Sequence, residues 1–114
     1  MPLAQILFTL TAVGGAVLAS FPLRGIPRPP TWLALGHGAI AICSFAVLIY
    51  NLATIGIPTL AQIALGVFVL AALGGATLFL GFHVQNKALP VPIVIAHGLI
   101  AIVGVVMLWL SLSS

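Results

Sequence analysis

Residues 91–112 read VPIVIAHGLIAIVGVVMLWLSL. No charged side chain interrupts this run, and a proline stands at its start. About 20 apolar residues, rising 1.5 Å each, cross the ~30 Å hydrocarbon core of a bilayer. In that medium each backbone N–H and C=O must find a partner, and a helix pairs them all within the segment. The run therefore predicts a membrane-spanning helix. Three more runs of the same kind precede it, at residues 3–20, 31–50 and 60–82. The expected fold is all-α: a polytopic membrane protein in which a four-transmembrane-helix bundle fills a single transmembrane domain, residues 1–114.

Composition agrees. Of 114 residues, 63% are hydrophobic and 3% charged, against roughly 25% charged in soluble domains. Lipid must be the solvent of most of this surface. Asp and Glu are absent. That excludes side-chain carboxylate acid–base pairs, carboxylate-built Ca²⁺ or Mg²⁺ sites and proton pumps that load on a membrane carboxylate. The net charge of +3 is too small to argue for nucleic acid. The one cysteine, Cys43, allows no internal disulfide, and its apolar surroundings predict a buried, inert thiol.

The connections are short: PLRGIPRPP at 22–30, NLATIGIP at 51–58 and QNKALPVP at 85–92. Proline lacks the N–H that a helix interior needs, so Pro30 and Pro92 are expected to open the second and fourth helices. Short links make consecutive helices antiparallel neighbours. Arg24, Arg28 and Lys87 all fall in the first and third connections. The positive-inside rule then places those loops in the cytoplasm and both termini outside, with a bacterial inner membrane the expected location. The first helix has its positive charges after it, which is the wrong order for a cleaved signal peptide. Trp32, Tyr50 and Trp109 sit where interfacial aromatic belts are expected.

The two halves, about residues 3–50 and 60–112, resemble each other. Leu3-Ala4-Gln5-Ile6 recurs as Leu60-Ala61-Gln62-Ile63, Gly14-Gly15-Ala16 as Gly74-Gly75-Ala76, and Phe21 as Phe82. The block from Gly36-His37-Gly38 to Ile42 recurs as Ala96-His97-Gly98 to Ile102, with small insertions between blocks. Each half crosses the membrane twice, so a parallel repeat about an axis along the membrane normal is expected.

This internal repeat sets two imidazoles at matching depth. His37 lies seven residues after Pro30 and His97 five after Pro92, roughly 8–10 Å inside the membrane. In a square bundle, helices 2 and 4 face each other across a diagonal of about 11–14 Å. Two inward imidazoles could hold one iron there, as axial histidines do in haem proteins. The Gly14–Gly15 and Gly74–Gly75 pairs fall at nearly the same depth and would clear a slot for a flat ring. Gly38 and Gly98 would let a macrocycle approach the backbone. Arg24, Arg28 and Lys87 lie just outside this layer, free of acidic partners, where ligand carboxylates would meet them. His83 has Pro22 as its counterpart and is expected at the interface, where it could touch such a carboxylate, relay protons or simply sit among headgroups; pairing of His83 with His97 fits the depths less well than His37 with His97.

A four-helix core with histidines facing across it resembles the small b-type membrane cytochromes of the cytochrome b561-like group, through its architecture and the positions of His37 and His97. That resemblance implies haem b on paired histidines, and electron transfer with quinones, ascorbate or partner subunits. Many such proteins carry two haems and four ligands. This chain has one depth-matched pair, so at most one haem is expected. Two other readings use the same residues: a cofactor-free accessory subunit of a membrane complex, and a (bacterio)chlorophyll-binding protein. Assembly into homo-oligomers fits the pattern as well, whereas a transporter has little polar lining to work with.

Overall fold

The computed structural model describes residues 1–113, and helix is the regular structure among them, with no strand. Helix α1 spans Pro2–Leu23, α2 Thr31–Thr54, α3 Thr59–Leu78 and α4 Val91–Leu110. All four are long and apolar enough to cross a membrane. The chain is an integral membrane protein built as a four-helix bundle, 43 Å along its longest axis. That length matches the ~40–45 Å of a bilayer with its headgroups.

Proline sets the starts. Pro30, Pro58 and Pro90 each stand just before a helix, at φ near −60 to −70° and extended ψ, and Pro92 sits in the first turn of α4. The missing N–H is harmless there, because the first-turn donors have no partner in the helix. The ends are turns that need a left-handed residue. Gly25, Gly56 and Asn86 supply positive φ after α1, α2 and α3, in the residue types that tolerate it.

The ends of α1 and α2 run three and four residues past the apolar runs, to Leu23 and Thr54. The end of α3 differs in kind. Its last turn, Phe79–His83, is a π turn. Gly14 and Gly74 lie sixty residues apart, but Phe21 and Phe82 lie sixty-one apart. The second half therefore carries one extra residue between these points, and the π turn absorbs it without breaking the helix.

The bundle is two hairpins. The closest packing is α1 on α2 and α3 on α4. Between hairpins, α1 meets α4 along a well-packed seam, whereas α2 and α3 barely touch. Polar bonds rivet the α1–α4 seam at the end remote from the basic loops: Gln5 Nε2 donates to the Leu108 carbonyl at 3.0 Å and Trp109 Nε1 to Thr9 Oγ1 at 2.8 Å. The basic loops are tied to each other, Leu89 N–H to the Pro27 carbonyl and Arg28 Nη1 to Asn86 Oδ1 at 2.7 Å.

The core lies in the half away from those loops. Phe8 and Phe68, sixty residues apart, stack face to face at 3.8 Å, and Phe45 meets both edge-on. Ala4, Ala64, Leu48 and Leu108 close around them, fully buried. Lipid is as apolar as this core, so close van der Waals contact, not water exclusion, is what favours it. The register of sixty differs by three residues from the Leu-Ala-Gln-Ile match at the helix starts. Cys43, expected to be buried, is exposed on the lipid-facing side of α2.

Candidate histidine-lined cavity

His37 and His97 each stand six residues into their helix, α2 from Thr31 and α4 from Val91. They belong to different hairpins and border the same cavity. Their ring centroids are 6.5 Å apart, with ring planes at 89°. Each ring rests on the glycine pair of its own hairpin partner helix. A Cβ at Gly15 would lie 3.0 Å from His37 Cε1, and one at Gly75 3.1 Å from His97 Cε1. Gly14 and Gly74 face the same rings at 3.7 and 3.5 Å. The glycine pairs thus make room for the imidazoles themselves, not directly for a further flat ring. The spacing of the motif matches the equal distance of the two histidines into their helices but could not say which object fills the gap.

His97 has a fixed orientation. Its Nδ1 lies 2.7 Å from the Ala71 carbonyl. A carbonyl only accepts, so Nδ1 carries the proton and Nε2 keeps its lone pair. In the first half the matching carbonyl is that of Thr11. It lies beside His37 but outside the geometry of a formed hydrogen bond, and His37 Nδ1 is buried without a partner.

Both rings border a cavity of about 880 Å³ between the hairpins. That is at the upper end of the ~300–1,000 Å³ typical of small-molecule and cofactor sites. Alanine, glycine and large apolar side chains line most of it. Gly15, Gly38, Gly75 and Gly98 are on its wall. At Gly38 and Gly98 an added Cβ would meet nothing within 4 Å, so these two glycines do face open space. The Phe8, Phe45 and Phe68 rings are also on the wall.

His83 was expected at the interface. It is 6% exposed and borders the same cavity near the basic loops. The π turn brings it across to the start of α2, where its Nε2 lies 3.0 Å from Thr31 Oγ1. Phe79 stacks on the ring at 5.3 Å. This bond is a polar tie across the otherwise loose α2–α3 seam, and nothing in the sequence around Thr31 marked it out.

The three cations do not border the cavity. Arg24 lies over the Phe21 ring at 5.0 Å and its Nε donates to the Ser20 carbonyl. Arg28 is held by Asn86. Two of the three therefore have neutral partners within the chain, despite the absence of acids. Among the described residues no three histidine, cysteine or acidic side chains cluster to hold a bare metal ion. Comparison with protein-family models, with curated proteins and with solved structures finds no match to this chain.

Proposed function

We propose that this chain is a haem b-binding membrane protein, with one haem between its hairpins, His37 and His97 as the axial ligands, and electron transfer or service as a cytochrome subunit as its role. The observation that carries the reading is the pair of imidazoles, one from each hairpin, that border one cavity with ring centroids 6.5 Å apart. A metal–imidazole bond is about 2 Å, so two such bonds plus the inner halves of two rings span roughly 6 Å. The observed 6.5 Å separation suits one shared metal. Metal-ligating histidines commonly donate their second ring nitrogen to a carbonyl, as His97 does to Ala71.

The donor set favours a tetrapyrrole over a bare ion. Structural metal ions in proteins take about four ligands, and this site offers two. A porphyrin brings its own four nitrogens and leaves two axial positions. Two opposed ligands favour six-coordinate iron over the magnesium of a (bacterio)chlorophyll, for which one axial histidine suffices. Gly38 and Gly98 leave the backbone bare on the cavity wall, and His83 with Thr31 supplies polarity at its basic end, where the carboxylates of the group would lie. When bound, the haem supplies one-electron chemistry. His37 and His97 would hold it, and the apolar wall of the cavity would surround it.

Purification in mild detergent after expression with ample haem, followed by oxidised and dithionite-reduced absorption spectra, tests this. A low-spin b-type spectrum that disappears in His37→Ala and in His97→Ala is the expected result. A colourless protein, or a spectrum unchanged in either variant, would sink the assignment and favour an accessory subunit that works by packing alone.

A further inference from the structure

The histidine layer is far from central. It lies six residues from the basic-loop ends of α2 and α4, about 9 Å of helix. Toward the other side, α2 continues to Thr54 and α4 to Leu110, about 25 and 20 Å of helix. The two sides also differ in filling. The cavity runs past the histidine layer on both sides, and its basic end carries His83 and opens at the loops, with Leu23, Pro29 and Leu89 on its wall. On the other side the stacked Phe8 and Phe68, then Leu48 and Leu108, close the bundle. Polar side chains there are bonded within the bundle, Thr11 to Ser44 at 3.2 Å, Trp109 to Thr9 and Gln5 Nε2 to the Leu108 carbonyl, while Gln5 Oε1 is buried without a partner. Among the described residues no other histidine lies in that half to ligate a second redox centre.

From this we infer that electrons enter and leave the histidine layer from the basic end alone. The protein is then a one-sided carrier and not a conductor across the membrane. The inference rests on the haem reading. Tunnelling falls exponentially with distance, so the shorter path dominates even though both are built of protein. The step is a one-electron exchange. With haem held by His37 and His97, a one-electron reductant at the basic end would give its electron to that centre, and a one-electron oxidant at the same end would take it back. No proton or bond is transferred. The end carries Arg24, Arg28 and Lys87 and no acid, so anionic reagents are drawn to it and the attraction weakens with salt.

Reconstitution into sealed liposomes tests the inference, because the chain reports its own orientation. All three trypsin-type residues lie at the basic end. External trypsin, cutting after Arg24 and Lys87, therefore counts the molecules whose basic end faces out. External dithionite, a membrane-impermeant anion, then reduces the oxidised pigment while absorbance is followed. The expected result is a fast phase whose amplitude equals the trypsin-cleavable fraction of a parallel sample, at least tenfold faster than the remainder and slowed by salt. One rate for all molecules, a fast phase matching the protected fraction, or a fast phase indifferent to salt would overturn the inference. A preparation without a haem spectrum would remove the haem reading and this inference together.

Discussion

A methyl group at Gly15 or Gly75 would press on the imidazole it faces, and one at Gly38 or Gly98 would enter empty space. This difference separates two roles that the sequence alone presents as four similar glycines. Gly75→Ala pushes the His97 ring off its rotamer, at a cost of about 0.5–1.5 kcal/mol. If the proposed haem is bound, its retention should fall a few-fold to about tenfold, read as the rate of haem loss to an excess acceptor. Gly38→Ala meets no protein atom and replaces a helix glycine, so the haem-free protein should gain up to about 1 kcal/mol of stability. If a macrocycle lies against Gly38, the same variant loses pigment. Thermal unfolding and the absorbance of one preparation report both effects, and pigment retained at the wild-type level would remove Gly38 from the ligand's wall. No residue pattern pointed to the Ala71 carbonyl, because a backbone acceptor leaves no mark on side-chain identity.

Elements register what single residues do not. The π turn at Phe79–His83 puts a buried histidine against Thr31 across the loosest seam of the bundle. Thr31→Val leaves the His83 ring buried without this partner, at a cost of about 1–3 kcal/mol. The double variant Thr31→Val/His83→Phe removes both polar groups and should recover much of that loss. Unfolding in detergent of the single and double variants checks the sign, and additive losses would mean that the bond is not what matters. In the same way Gly104 is fixed by Phe68, whose Cε1 would lie 2.7 Å from an added Cβ. Gly104→Ala overpacks the aromatic stack and should destabilise by about 1–3 kcal/mol without altering any pigment spectrum. The four apolar runs and their prolines made the helices legible. Which way each side chain faces was not legible, as Cys43 shows, because core and lipid are both apolar and periodicity marks burial only where the two differ. His83 escaped for another reason: one inserted residue turns every later side chain on that helix to a new bearing.

At the scale of the molecule, each hairpin is nearly self-contained. One presents His37 and rests it on Gly14 and Gly15, and the other presents His97 on Gly74 and Gly75. The depth-matched histidines were readable in the sequence because the repeat displays them twice. The unequal seams were not, because they depend on where the halves differ: Gln5, Thr9 and Trp109 at one seam have Leu65, Val69 and Ile49 at the matching positions of the other. Gln5→Leu with Trp109→Phe should therefore loosen α1 from α4 by removing both rivets, at about 0.5–1.5 kcal/mol for each hydrogen bond. A lowered unfolding temperature with an intact histidine layer is the expected outcome, and no change would assign the seam's cohesion to apolar contact alone.

The segment between Thr54 and Thr59 is the one covalent link between the hairpins. A gene cut there encodes two short peptides, each with a complete helical hairpin and half of a ligand pair. Neither fragment can hold a metal from both sides, and the two together can. Any group that bridges His37 and His97 then acts as a non-covalent clasp, and its binding energy becomes the energy of reunion. Co-expressed halves should copurify when haem is supplied and separate when His97 is replaced. The colour of the protein would in that case be a direct count of assembled pairs.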